Sequence, residues 1–417
     1  MYRCMRNIAA FVIFVSLIPA AVFSAGLAEE DFSTWYADTA ARFTVDETQN
    51  TGLTVFPTLD IPMGGEYEAM GTAYTAVSRD SSFFSANPAG SSDLEYTELA
   101  LYHNNLIADT NMEGIVYTTR KDAFGVGVAG KYLYVPFTEY DDFGLQQGTA
   151  RYTETIVGAN LSYNFLNSFN FNGVAVGGNL KFAYRNIPEI IASGQSASAM
   201  MVDLGVLSRF NVLKFFSSRD RNAAAGFTIR NLGPNVLGEP LPTELSIGLS
   251  YYPLRPWLLA FDLNQPVTPF SPTDAEKTGF AFGTAVAVTD FFSVRGGFGL
   301  EGGNPRISMG GAVTIEQLIV SLNYTLDMTT QLSAFDRISL NVRFNFGDKG
   351  REATESQVRE LYLDALVAFA DGELEQAIAL CEQALELDPR FQPAGETLKM
   401  ASQMFRLQQE MESIRQE

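Results

Sequence analysis

A strict alternation of apolar and polar residues runs through the segment 337–346. Ile338, Leu340, Val342, Phe344 and Phe346 fall on one face, and the residues between them are arginine, serine and asparagine. Successive side chains of a β-strand point to opposite faces, so this segment predicts a strand with one apolar and one polar face. Its length is that of a membrane-spanning strand, roughly nine to eleven residues.

The same alternation recurs from about residue 95 to residue 347. About fourteen strand-like segments fit there, an even number within the range of single-chain outer-membrane barrels, and most connections alternate between short and long. The pattern predicts an all-β transmembrane barrel of about 14 antiparallel strands over residues 95–347. If the long loops face outside, the strand that ends at Phe346 finishes on the periplasmic side. The alternative, a large soluble sandwich or solenoid, would need buried partners for every apolar face, and no repeat of solenoid length is visible.

The N-terminal residues predict export. Arg3 and Arg6 precede the apolar run Ile8–Phe23, and small residues follow it. This order is typical of a secretory signal peptide, so we predict a signal peptide over residues 1–28, cleaved near Ala25 or Ala28. A membrane-anchoring helix is the alternative, for which the run is short. Removal of the signal peptide leaves Cys381 as the single cysteine, which excludes an intramolecular disulfide.

Composition and charge argue against several function classes. The formal net charge of −20 disfavours nucleic acid, which requires a basic surface. No His/Cys cluster has metal-ligand spacing, so we predict neither a metal nor a cofactor. The one histidine, His103, follows a tyrosine near the end of the first strand, and no serine is placed beside it. We therefore predict no catalytic residues, and an outer-membrane enzyme centred on His103 is the weakest alternative.

Residues 29–94 lack strand periodicity and precede the barrel. A segment of this kind can fold into the lumen as a hatch, where polar groups of the wall satisfy its backbone. Within it, Ala69-Met70-Gly71 and Asn87-Pro88-Ala89-Gly90 resemble the hatch of FadL-type proteins, which are fourteen-stranded outer-membrane channels for long-chain fatty acids and aromatic hydrocarbons. The version here, with Tyr67-Glu68 before Ala69 and a helical C-terminal tail, is most similar to a spirochaetal (treponemal) branch of that family. The resemblance implies that Met70, Gly71 and residues 87–90 belong to the ligand and hatch region.

Gly125, Gly127 and Gly130 lie in the third predicted strand with the spacing of a phosphate loop, but no helix follows them. Two interpretations remain. They are small inward residues that make room for the hatch, or they mark a kink that opens the wall laterally, since glycine in a strand often marks bends. FadL-type proteins are associated with such a third-strand opening.

Residues 352–417 change to helical spacing and are rich in Glu, Gln, Ala and Leu. The segment 361–389 is similar to a tetratricopeptide repeat, in which Ala365, Ala377 and Ala384 allow close helix crossing, Gly372 ends the first helix and Pro389 stops the second. We predict a small all-α domain in the periplasm, with a third helix at about 394–414.

The resemblance implies an outer-membrane channel that takes up hydrophobic molecules, with long-chain fatty acids as the default ligand and membrane lipid as surroundings. The alternative is a docking or assembly protein that binds a periplasmic protein partner through the tetratricopeptide segment. The content of the lumen distinguishes the two hypotheses. Transport predicts a contiguous apolar pocket beside the hatch, whereas docking predicts a filled lumen.

Overall fold

The computed structural model describes residues 54–106, 109–140, 143–189, 193–218, 220–271, 276–301, 304–327 and 335–416. The predicted signal peptide and the first part of the hatch lie outside these residues. The described chain forms fourteen antiparallel strands, each paired with its sequence neighbours, and β1 pairs with β14 to close the barrel. The strands are β1 Glu98–Asn105, β2 Asn111–Lys121, β3 Phe124–Tyr140, β4 Gln146–Phe165, β5 Val174–Asn186, β6 Ala197–Phe210, β7 Ala223–Leu232, β8 Thr243–Leu254, β9 Trp257–Val267, β10 Gly279–Thr289, β11 Phe292–Glu301, β12 Asn304–Ile315, β13 Leu318–Asp327 and β14 Phe335–Asn345.

The two faces of the wall have opposite polarity. On β14, Ile338, Leu340 and Phe344 are exposed on the outside, whereas Ser339 and Asn341 are buried on the inside. The other strands repeat this pattern, with exposed leucine, valine and phenylalanine outside. A closed wall leaves no unpaired edge in lipid, and an apolar outer surface around a polar lumen characterises outer-membrane-type barrels. The predicted fold class is confirmed.

The structure moves some predicted boundaries. The alternation predicts the third and fourth strands near 122–136 and 149–165. In the structure, β3 has 17 residues and β4 has 20, because their ladder continues to the pair Tyr140 and Gln146. Each face of this extension mixes polar and apolar residues, so the alternation gives no signal there. At the same end of the barrel, only two residues separate β11 from β12, and Glu301 pairs with Asn304. The connections at this end are therefore not uniformly long.

The described part of the hatch lies inside the barrel. Short helical turns interrupt it at Pro57–Leu59, α1 Gly65–Ala69, α2 Phe83–Ala86 and Pro88–Ser92. Nearly all residues between 62 and 94 are buried or half-buried. The hatch divides its apolar side chains among several small clusters shared with the wall, one of which surrounds Met70 and Tyr74 and another Phe83 and Phe84.

A second compact unit comprises the turn Leu166–Gly173 and residues Gly347–Glu417. It contains three helices, α3 Arg351–Ala370, α4 Leu374–Leu387 and α5 Gln392–Gln416. Of the predicted packing residues, Ala365, Ala377 and Ala384 are fully buried, Gly372 has a left-handed φ of 81° after α3, and Pro389 lies in the turn after α4. The helical region is thus present, and its tetratricopeptide character stays a prediction. Within the described residues, no helix combines the length and the hydropathy that a membrane span requires.

Candidate functional site: the hatch–barrel interface

Glycines on the inner wall allow the hatch to lie directly against the barrel. A β-carbon at any of them would come within 2.1 to 2.6 Å of a hatch atom, closer than real β-carbons approach other atoms. The hatch therefore fits only because these wall positions carry no side chain. The positions and the hatch residues they face are Gly125 and Ser91, Gly177 and Pro88, Gly205 and Asn87, Gly226 and Thr75, Gly283 and Met70, and Gly297 and Gly71.

The Asn87-Pro88-Ala89-Gly90 turn joins hatch segments to the wall. The Asn87 side chain accepts a hydrogen bond from the Ala89 N–H (3.1 Å) and donates to the carbonyls of Thr75 (2.8 Å) and Val206 on β6 (3.1 Å). Asn87 is fully buried, so these bonds satisfy a side chain that would otherwise be costly to bury. The Asn160 side chain on β4 donates to the Pro88 carbonyl (2.9 Å). The turn is thus tied to two strands.

Met70 and Gly71 contact the opposite side of the wall. Met70 is fully buried in the cluster with Tyr67 and Tyr74. Gly71 has a left-handed φ of 63°, and a β-carbon there would lie 2.7 Å from the Phe298 nitrogen on β11. The two predicted hatch motifs therefore lie against different strands and do not share one pocket.

The three glycines of β3 do not act alike. Gly125 and Gly127 face inwards, against Ser91 and Phe83 of the hatch. Gly130 has the opposite phase and faces outwards, so it cannot make room for the hatch. The ladder of β3 with β2 runs without a register shift from Phe124 to Tyr134, and its ladder with β4 does so from Phe124 to Glu139. In this closed state the glycines mark neither a bulge nor an opening.

Ion pairs join the hatch to the wall of the barrel. Carboxylates of the hatch meet arginines of the wall, and one buried pair joins Asp80 Oδ2 to Arg343 Nη1 at 2.8 Å. Pairs of this kind hold a buried charge only while both partners stay in place. The others are Glu66 with Arg295, Glu68 with Arg337, and Asp93 with Arg209, and Glu66 also pairs with Arg79 within the hatch.

Carboxylates of the wall, in turn, accept hydrogen bonds from the hatch backbone. Asp262 on β9 accepts from the N–H groups of Tyr74 (2.9 Å) and Thr75 (2.8 Å). Glu98 on β1 accepts from the Ser81 N–H at 2.9 Å. The hatch has little regular secondary structure, so these contacts supply partners that its buried amides would otherwise lack.

The cavity beside the hatch is small and charged. Its volume is about 40 Å³, which is room for about three water molecules. Its lining includes Asp60, Lys131, Lys181, Arg230 and Glu301 together with several aliphatic side chains. The contiguous apolar pocket that transport predicts is not formed by the described residues in this closed state.

His103 lies on the outer face of β1. Its Nδ1 is 2.8 Å from Glu113 Oε1 on β2, and both side chains are about half exposed. The side chain is therefore on the outside of the wall and not in the lumen. Within the described ranges, no group of three or more His, Cys, Asp or Glu residues has the geometry of a metal site.

Acid is expected to loosen the hatch through Glu66. Burial acts to raise the pKa of Glu66, but Arg79 and Arg295 outweigh it and lower the pKa from 4.5 to about 2. A carboxyl with a lowered pKa stabilises the folded state above its unfolded pKa, and this contribution is lost as the pH falls through the folded pKa. A shift of this size corresponds to about 3 kcal/mol, complete at neutral pH, declining below about pH 4.5 and absent near pH 2.

This dependence can be measured as the conductance of the reconstituted full chain in planar bilayers between neutral pH and pH 2. Conductance should rise below about pH 4.5. In Glu66→Gln it should be raised already at neutral pH and should change less with acid. A wild-type conductance that stays flat down to pH 2 would contradict the assignment.

A family model described as Uncharacterised protein family (UPF0164) matches residues 33–349. The chain belongs to this family. Two members from Treponema pallidum (strain Nichols), each described as UPF0164 protein, are similar to this chain. One is 28% identical over 367 residues, covering 84% of this chain and 83% of the relative, and the other is 24% identical over 381 residues, covering 85% and 76%. The predicted treponemal relationship is confirmed, and the UPF0164 match covers the hatch and the barrel but ends before α3.

Solved structures that resemble the chain include two toluene transporters. TbuX of Ralstonia pickettii has a TM-score of 0.48 and 11% identity, covering 71% of this chain and 99% of TbuX. TodX of P. putida has a TM-score of 0.45 and 12% identity, covering 69% and 100%. At these TM-scores, neither structure supports an inference about this chain's ligand.

Proposed function

We propose that the chain is a hatch-gated outer-membrane channel that takes up small hydrophobic molecules. The proposal rests on how the hatch is held inside the barrel. It fills the lumen, yet side-chain pairs and backbone contacts at glycines hold it in place, so it can shift without breaking the wall. Long-chain fatty acids are the default ligand through the resemblance of residues 69–71 and 87–90 to FadL-type hatches.

In the proposed mechanism, the closed state admits no ligand because the cavity at the hatch holds about 40 Å³. An apolar molecule enters from the outer mouth and replaces wall contacts of the hatch, whose shift then opens a path. Asn87 and the Asp80–Arg343 pair keep the hatch seated between passages. The chemistry is binding and movement alone, and the helical unit follows β14 on the periplasmic side.

Locking the hatch tests this mechanism. Ser91 Oγ on the hatch lies 2.5 Å from Ser162 Oγ on β4, close enough for a disulfide between cysteines at these positions. In Ser91→Cys/Ser162→Cys, oxidation should abolish uptake of a fluorescent long-chain fatty acid and of toluene by a host that lacks its own channel of this class. Reduction should restore uptake, whereas Ser91→Cys alone should respond to neither treatment. Uptake at the wild-type rate with the disulfide formed would contradict a moving hatch.

A docking or assembly role is the second candidate, and the filled lumen favours it. Truncation after residue 350 separates the two. A channel without its helical unit should retain uptake, whereas a docking protein should lose its periplasmic partner while its barrel stays folded and heat-modifiable.

A further inference from the structure

The last helix, α5, carries an apolar stripe on its free side. Five side chains of the stripe are at least half exposed, a high fraction for large apolar residues on one helix face. They are Met400 (50%), Met404 (50%), Leu407 (59%), Met411 (70%) and Ile414 (73%).

The stripe begins beside the face through which α5 packs in its own unit. Ala394, Thr397 and Ala401 are buried against the other helices. α5 has 25 residues and its neighbour α4 has 14, so about 11 residues, or roughly 16 Å at 1.5 Å per residue, extend beyond the length that α4 can cover. The stripe continues along this extension to Ile414.

The spacing within the stripe is 4, 3, 4 and 3 residues. This is the 3.5-residue period of a coiled-coil seam, with Met404 and Met411 at a positions and Met400, Leu407 and Ile414 at d positions. A helix that lies on a membrane surface instead carries lysine and arginine opposite its apolar face. In the sequence, that side holds Ser402, Phe405, Arg406, Gln409 and Ser413, with Lys399 at its start. Two basic residues among mostly neutral ones do not form a basic face, which favours a helical partner over a lipid surface.

We propose that α5 pairs with the same helix of a second copy of this chain as a parallel two-stranded coiled coil. A second copy supplies a seam of identical period. In a parallel pair, each g position of one helix faces the next e position of the other. In this sequence, Gln403 would face Gln408, and the acid Glu410 would face the base Arg415. Every barrel inserted in the same sense releases its C-terminal helices on the same side, which permits parallel pairing.

The seam runs from Met400 to Ile414, which is about two heptads and short for a coiled coil that must form its helices on association. In this chain, the bundle holds the N-terminal half of α5 as a helix, from which the seam continues, and membrane insertion confines the copies to a plane. Both effects lower the cost of pairing by raising the effective concentration of preformed helices.

Disulfide trapping tests the pairing in the full chain, reconstituted in lipid. Met411→Cys places a cysteine at the seam, where only a parallel, in-register pair brings it against its own copy. Gln409→Cys, on the opposite face, is the matched control. Mild oxidation should give roughly tenfold more covalent dimer for Met411→Cys than for Gln409→Cys. The wild type, whose Cys381 is buried, supplies the blank.

A second variant keeps the proposal falsifiable without cysteines. Met404→Glu/Met411→Glu should convert a dimer into a monomer by mass measurement while helix content and barrel heat-modifiability stay unchanged. Equal trapping at positions 409 and 411, or a monomeric wild type in lipid, would overturn the proposal. A different protein occupying the stripe would also leave Met411→Cys untrapped. None of these readouts depends on uptake, so the pairing and the channel function can fail separately.

Discussion

Gly297→Val is expected to unseat the hatch and leave a conducting barrel. A β-carbon at Gly297 would lie 2.1 Å from both the Gly71 nitrogen and the Met70 carbonyl carbon. These are backbone atoms, so no rotamer change can relieve the overlap, and either the hatch or β11 must move. β11 is held by ladders to β10 and β12, whereas the hatch near Gly71 forms no ladder with the wall, so the hatch should yield.

The expected result is a folded, heat-modifiable barrel with much higher single-channel conductance than the wild type. Gly296→Val is the matched control, because a β-carbon at this neighbouring position faces outwards and meets its nearest atom, Thr284 Cγ2, only at 3.9 Å. It should leave conductance unchanged. Equal conductance in the two variants would contradict the assigned role of Gly297.

The wall was predictable because its signal is local. Alternation on β14 alone identifies Ile338 and Leu340 as outward and Ser339 and Asn341 as inward, and the structure agrees. Where each face mixes polar and apolar residues, as in the extension of the β3–β4 hairpin beyond residue 136, the signal vanishes and the predicted strands end too early. Period fixes the phase of a strand, but it does not fix its length.

The interior was predictable only in part. Asn87 was identified through its motif, yet its bond to Val206 spans 119 residues, and no local pattern reports such a contact. Arg337 and Arg343 were placed on the polar face without their hatch partners. A lone charge in the inward phase of a spanning strand is a usable signal, since burying it requires a counter-charge. Applied to β6 and β11, that rule would have selected Arg209 and Arg295.

The prediction for Gly130 was wrong for a different reason. Grouping it with Gly125 and Gly127 by motif spacing ignored the strand period, which turns an even-numbered residue of β3 outwards. The glycines that do contact the hatch are spread over several strands and form no linear motif. Their common feature is an inward phase, which appears only after each strand has been assigned.

Arg343→Met is the second change with a large expected effect. Arg343 Nη1 lies 2.8 Å from Asp80 Oδ2 and 3.7 Å from Glu98 Oε1, and all three side chains are at least nine-tenths buried. Methionine keeps much of the volume but leaves two buried carboxylates without their cation. Removing one partner of a buried pair typically costs about 3–5 kcal/mol. Hydrogen exchange of hatch peptides around residue 80 should therefore accelerate strongly.

Arg359→Met is the matched control, because Arg359 pairs with Glu355 at 3.2 Å on an exposed face of α3. An exposed helical pair contributes about 0.3–0.5 kcal/mol, so exchange in α3 should scarcely change. Asp80→Asn added to Arg343→Met should recover part of the loss, since one unpaired carboxylate then remains instead of two. If Arg343→Met and Arg359→Met had equal effects, the hatch would be held by its glycine and backbone contacts, and the buried charges would only be tolerated there.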